Sequence, residues 1–219
     1  MRIPNASSGL IQALLRTVHF KDAATLAHNV RIGQICSILA KQLAPDIAEY
    51  IETAGSLHDI GKIAIPDHIL CKYGPLTDDE FRVIKTHSAI GENILERCPI
   101  FDNEKANSVA RNLVRHHHER WDGTGYPDGK KGEYIPMEAR IAAVADAYDA
   151  MVSWRIYKRP YTHEHAVDSL QNDSGTHFQD EVVKSFISCK GEVMRVYSDP
   201  RVDTSAVCPA LDSDGNMPT

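Results

Sequence analysis

The sequence predicts an all-α fold, a helical bundle that turns metal-capable side chains into its core. Three observations predict it. Apolar residues recur three and four positions apart in segment after segment. Helix-entry and helix-stop residues punctuate those segments, at Pro45-Asp46, Thr77-Asp78-Asp79-Glu80, Pro99 and Pro136. No stretch carries the β-branched alternation that a sheet would need.

Met1–Ser8 is short and polar and is expected to be a flexible lead-in. From Leu10 the pattern turns helical through Ile11, Leu14, Leu15 and Val18. A second helix carries His28, Ile32, Ile35 and Leu39 on one stripe. Asp46 to Leu57 reads as a third helix, which delivers His58-Asp59 at its end and is stopped by Gly61. Ile63–Leu76, with Pro66, Gly74 and Pro75, reads as a loop or broken turn. The Thr77–Glu80 capping box opens a helix expected to run to about Arg97, with Val83, His87, Ile90 and Ile94 facing inward. Ala106–His118 repeats the pattern through Ala110, Leu113, Val114 and His117. Trp121–Tyr134 is a turn-rich loop with Gly123, Gly125, Pro127, Gly129 and Gly132. Pro136 then starts a helix whose Ile141, Val144 and Tyr148 face the core, with Asp146 and Asp149 one turn apart. Thr162–Leu170 and Phe178–Ile187 read as closing helices. The tail after Ser198 is rich in Asp, Ser and Pro and is expected to be disordered. The domain is thus expected over residues 9–197, flanked by 1–8 and 198–219.

With 219 residues, 42% hydrophobic and 25% charged, the chain suits one globular domain with a sizeable core. Its five cysteines are scattered without a CxxC pair, which predicts reduced thiols and a cytoplasmic protein, not a disulfide frame or zinc ribbon. No apolar run has the length of a membrane span, and the N-terminus lacks a secretion-signal pattern. A net charge of −6 argues against a DNA or RNA polymer as partner, so an anionic substrate would need local positive charge.

The histidines supply the chemistry. Five segments offer His or Asp towards the core: His28, His58-Asp59, His87, His117-His118 and Asp146. One histidine on an apolar face is usually a satisfied core residue. Burying all of these without an ion would cost about 1–3 kcal/mol for each unpaired polar group, and more for a carboxylate. Seven ligands are too many for one structural zinc and suit two ions, with a carboxylate such as Asp59 able to bridge them. Imidazole mixed with carboxylate and no thiolate points to iron or manganese before zinc. Two cations lower the pKa of a bridging water from about 15.7 to about 7, which makes hydroxide available for phosphoester hydrolysis. Lys62, three residues after Asp59, could neutralise a phosphate oxygen; its bland alternative is a solvated helix-end lysine.

With these residues assembled, the sequence resembles the HD-GYP family, a branch of the HD-domain metal hydrolases. The motifs that carry the resemblance are His58-Asp59-Ile60-Gly61-Lys62, His117-His118-Glu119-Arg120-Trp121-Asp122-Gly123-Thr124-Gly125-Tyr126-Pro127, and the helix from Ala139 to Ala150. The similarity runs from about residue 20 to residue 188, and the second motif is the most specific. The resemblance implies a phosphodiesterase that opens cyclic di-GMP to linear pGpG, with GMP as a further product. It implies one ion held by His28, His58, Asp59 and Asp146 and another held by Asp59, His87, His117 and His118. Asp59 and Lys62 would be catalytic, and Lys62, Tyr126, Asp149, Arg155 and Lys158 would contact the dinucleotide. Glu119, Arg120 and Asp122 would brace the glycine-rich loop. His116 falls outside the motif and reads as a helix-surface histidine.

Three departures stand out. Some relatives take a third metal with a Glu four residues before the first His; Ala24 stands there, so two ions are expected. Gln179 and Ile156 replace an Asp and a Pro usual in the family, which bears on the shape of the substrate loop. A second reading keeps the chemistry and changes the substrate to cyclic GMP-AMP. A third makes the chain a catalytically weak sensing or interaction module that binds diguanylate cyclase (GGDEF) domains through Gly125-Tyr126-Pro127, with Trp121 and Tyr126 displayed. Retention of all seven ligands favours the enzyme. The apolar N-terminal helix could also serve a homodimer.

Overall fold

The computed structural model describes residues 8–21, 25–153 and 160–198. Among them the helices are α1 (Ser8–Lys21), α2 (Thr25–Leu43), α3 (Ala48–Ser56), α4 (Asp67–Leu70), α5 (Asp78–Lys85), α6 (His87–Arg97), α7 (Glu104–His116), α8 (Met137–Val152), α9 (His163–Asn172) and α10 (Asp180–Val196). Two 3-10 turns lie at Ile60–Ala64 and Gly132–Tyr134. No strand occurs among the described residues; Ser174 and Phe178 form one isolated bridge. The all-α expectation holds. The lead-in 1–7, Ala24, Arg155, Ile156, Lys158 and the tail from 199 lie outside the described residues.

The centre of the bundle is α2, which packs on α3, α8 and α10, while α7 joins α3, α6 and α8. Ile32, Ile35 and Leu39 of α2, Ile51 of α3, Leu113 and Val114 of α7, Ile141 and Val144 of α8, and Val182 and Phe186 of α10 are fully buried or nearly so. These are the stripes that the three-and-four spacing marks. Their burial is the main stabilising term, at about 1.5–3 kcal/mol for each large apolar side chain.

The expected helix from Thr77 to Arg97 is two helices that meet at Thr86. Its capping box is formed: Thr77 Oγ1 accepts from the Glu80 backbone, and Glu80 accepts from the Thr77 N–H. At the break, the Thr86 hydroxyl donates to the Val83 carbonyl at 2.7 Å, a local bond that competes with the helix ladder. The expected 63–76 loop begins in the last two residues of the first 3-10 turn and holds the single-turn α4. Short polar stretches with proline carry too little periodicity to announce such pieces.

Candidate metal centre

His58, His87 and His117 share one local design. Each stands at or just past a helix break or helix end, and its Nδ1 meets the carbonyl three residues upstream: Gly55 at 2.9 Å, Ile84 at 2.7 Å and Val114 at 2.8 Å. A carbonyl only accepts, so Nδ1 donates, and in a neutral ring Nε2 presents a bare lone pair. All three are almost fully buried. His28, on α2, has its Nδ1 2.8 Å from Asp149 Oδ2, so its Nε2 is aimed the same way.

These Nε2 atoms converge on Asp59. One carboxylate oxygen, Oδ2, lies 3.3 Å from His58 Nε2 and 4.0 Å from His28 Nε2. The other, Oδ1, lies 3.3 Å from His87 Nε2 and 4.0 Å from His117 Nε2. Asp146 Oδ1 approaches His28 Nε2 at 3.4 Å. Two compact groups result, His28–His58–Asp146 and Asp59–His87–His117–His118, the ligand atoms of each lying within 4.8 Å of one another. The structure therefore brings together all seven residues expected from the sequence, with Asp59 between the two groups.

The arrangement fits divalent cations. His87 Nε2 and His117 Nε2 face each other at 3.4 Å, two lone pairs with no proton between them if both rings are neutral. Asp59 Oδ1 is buried and has no hydrogen-bond partner. Such an atom costs stability unless something positive meets it. Burial lowers the His87 pKa, and burial with the neighbouring imidazoles holds His117 well below its ordinary value. Burial brings His118 to about 3. The rings on this side are therefore neutral and ready to donate electron pairs. For Asp59, burial opposes charge, but the Lys62 ammonium and the imidazoles of His58 and His87 outweigh it and keep the carboxylate ionised. Asp146 is likewise held well below the usual range, chiefly by His28 against burial. On the other side, burial disfavours the His28 cation, yet Asp146 and Asp149 raise its pKa to about 9. His28 Nε2 and His58 Nε2 lie 3.3 Å apart.

Lys62 sits at the rim, its ammonium 2.5 Å from Asp59 Oδ2. Gly61 lets the first 3-10 turn reach α6: a methyl there would lie 1.9 Å from the His87 carbonyl oxygen and 2.6 Å from the Gly91 nitrogen. Both obstacles are backbone, so neither can turn aside. Gly61→Ala is expected to cost about 2–4 kcal/mol of stability. In a protein of this size that is a melting temperature lower by about 5–12 °C. A melt within two degrees of the parent would contradict this close approach.

The glycine-rich loop folds inward. Tyr126 stacks on His118 with ring centres 4.7 Å apart, and its N–H donates to the His118 carbonyl. Gly125 lies against backbone, where a methyl would meet Arg120 N at 2.4 Å. Trp121 receives the Arg140 guanidinium over its ring. Trp121 and Tyr126 are both half-buried: each ring has a packing partner inside the domain and keeps part of its surface open. Glu119 and Arg120 brace the loop as expected: Glu119 accepts from the Asp128 N–H, and Arg120 pairs with Asp122.

Two further readings change. His116 is buried, with its ring nitrogens at the Asn112 carbonyl and the Asp128 carboxylate, and so is not a surface residue. Asp149 is no surface for a ligand: it is 1% exposed, and its carboxylate accepts from Arg31, Tyr197 and Ser153 as well as His28. It is a support behind His28. Arg31 and Tyr197 are further residues that the structure brings to Asp149. A buried-stripe arginine one turn after His28 was a usable signal; Tyr197, 48 residues from Asp149, gave none.

Residues 13–182 match the HD domain family. A cyclic di-GMP phosphodiesterase of Thermotoga maritima is 39% identical over 190 residues, 86% of this chain and 50% of the relative. A 3'3'-cGAMP-specific phosphodiesterase of Vibrio cholerae is 38% identical over 180 residues, 81% of this chain and 34% of that protein. The chain spans half or less of the length of these curated relatives. Among solved structures, Bd1817, an HDG"Y"P protein from Bdellovibrio bacteriovorus, superposes with a TM-score of 0.60 at 18% identity, over 78% of this chain and 53% of that one. The chain belongs to the HD-domain family, and its motifs place it in the HD-GYP branch.

Proposed function

We propose that the protein is a metal-dependent phosphodiesterase that hydrolyses cyclic di-GMP to linear pGpG, with GMP as a further product. The observation that carries the reading is Asp59, with one oxygen turned to His28 and His58 and the other to His87 and His117. The Thermotoga relative, named for this activity, supports it. His28, His58, Asp59 and Asp146 would hold one divalent ion, and Asp59, His87, His117 and His118 the other. Iron or manganese suits a set of imidazoles and carboxylates without thiolate. When bound, such a pair supplies an acidic water as nucleophile and neutralises charge on the phosphate. The residues do the rest. Lys62 gives up Asp59 Oδ2 to bind a non-bridging phosphate oxygen as negative charge grows on it. Tyr126 stacks on His118 and narrows the access of water to that ring. Water adds to phosphorus, and the ribose 3′ oxygen leaves with a proton.

A second substrate, cyclic GMP-AMP, is supported by the Vibrio relative specific for it. The inward placement of Tyr126 favours catalysis over docking of GGDEF domains at Gly125-Tyr126-Pro127. A cytoplasmic location, a homodimer through α1 and a domain bounded at residues 9–197 complete the proposal. No described helix is long and apolar enough to cross a membrane.

The test is anaerobic purification, metal counted per chain, and turnover of cyclic di-GMP and cyclic GMP-AMP followed by product separation. Two equivalents of metal with pGpG formed is the expected result. A fully loaded protein that cleaves neither dinucleotide would overturn the enzyme reading. Metal removal gives a second check. At an ion concentration about a thousand times Kd, binding adds about 4 kcal/mol per site. Chelation should therefore lower the melting temperature by about 10 °C or more. A melt indifferent to both chelator and added metal would count against the ligand set.

A further inference from the structure

Lys85 ends α5 one ring away from the metal centre. Its ammonium lies 4.7 Å from the centre of the Phe81 ring and 5.3 Å from that of Tyr126. The two rings meet edge to face, and Tyr126 continues the stack onto His118 and lies 6.5 Å from His87. The side chain is half-buried. Nearby cations are already neutralised: Lys62 by Asp59, Lys72 by Glu80, Arg82 by Asp79, Arg115 by Glu92 and Asp128, and Arg120 by Asp122. Among the described residues no carboxylate forms an ion pair with Lys85. Two π faces hold an ammonium in place without cancelling its charge. A cation fixed in this way loses little freedom when an anion arrives.

A cyclic dinucleotide carries two phosphodiesters, and only the one being cleaved can occupy the metal centre. Lys62 pairs with Asp59 Oδ2, the oxygen 3.3 Å from His58; Lys85 lies against the Tyr126 ring, which stacks on His118 and has its centre 6.5 Å from that of His87. We propose that Lys85 binds a phosphate oxygen of the dinucleotide on the His87–His118 side of the site, as the counterpart of Lys62. The proposal rests on the phosphodiesterase reading and adds a substrate-binding residue to it.

The experiment uses the metal-loaded full chain, with cyclic di-GMP and cyclic GMP-AMP as substrates, and compares the parent with Lys85→Met and Lys85→Arg. Methionine keeps the apolar stem against both rings and removes the charge. The expected result is a KM raised about tenfold in Lys85→Met with kcat within about twofold, and most of the loss recovered in Lys85→Arg. The KM of the parent should also rise with salt more steeply than that of Lys85→Met. Both variants should melt within a few degrees of the parent. An unchanged KM in Lys85→Met would overturn the proposal. A loss that follows a lowered melting temperature and is not recovered by arginine would also overturn it, since Lys85 would then act only in packing. A parent that binds metal but cleaves neither dinucleotide would instead remove the reading beneath it.

Discussion

Asp59→Asn is expected to abolish turnover, by about a thousandfold or more, and to empty the metal centre. Asparagine keeps the shape of the side chain but has one acceptor oxygen, and its amide nitrogen carries two protons that cannot meet an ion. Asp59 Oδ1 and Oδ2 serve different halves of the centre, so one substitution deprives both. The amide is also neutral, and the seven-residue set loses one of its two carboxylates. The released Lys62 ammonium would add to the repulsion of any cation. Metal counted per chain should fall with activity, while the helical content is kept. A variant that retained both ions and near-parental turnover would refute the bridging role.

Asp149→Ala is expected to be the most destabilising substitution outside the apolar core. Asp149 accepts two bonds from Arg31, at 2.5 and 2.9 Å, and both residues are buried. Removing one partner of a buried ion pair costs about 3–5 kcal/mol, because the remaining charge is left without compensation. For a chain of this length that is a melting temperature lower by about 10 °C or more. His28 also loses the carboxylate that orients its ring, and such supports are worth about 10–100-fold in metal affinity. The two effects separate in the double variant Arg31→Met with Asp149→Leu. Removing both charges should restore much of the melting temperature and none of the metal affinity. Parental affinity in Asp149→Ala would show that His28 needs no such support.

What could be read from sequence follows from how far each partner lies along the chain. His58, His87 and His117 stand on inward stripes, and a stripe is a local signal, so their meeting at one centre was legible once several stripes carried a ligand. The helix break at Thr86 was not, because a threonine hydroxyl turned to a carbonyl leaves no trace in apolar spacing. Asp149 sits one turn from Asp146 and reads equally well as facing a ligand. Only the arrival of Arg31, 118 residues earlier in the chain, decides that it faces away. The same holds for His116, since its partner Asp128 belongs to a loop whose path no periodicity describes. Gly125 lets the backbone close onto His118 and Arg120, an approach that no apolar spacing announces.

The upstream-carbonyl design of the three histidines has a consequence for how this site tolerates change. The main chain of Gly55, Ile84 and Val114, not a side chain, fixes which nitrogen of each ring is bare. Any residue supplies a carbonyl, so the aim of the ring does not depend on which side chain stands at Ile84 or Val114; at Gly55 a methyl would lie 3.1 Å from Gly33 Cα and 3.2 Å from Cys36 Sγ, so that position stays small. Register is another matter. One residue inserted or deleted between a carbonyl and its histidine turns the ring by about 100° around the helix and points its lone pair away from the centre. The site is therefore strict about counting: drift in these turns should appear as substitutions outside Gly55, never as changes of length.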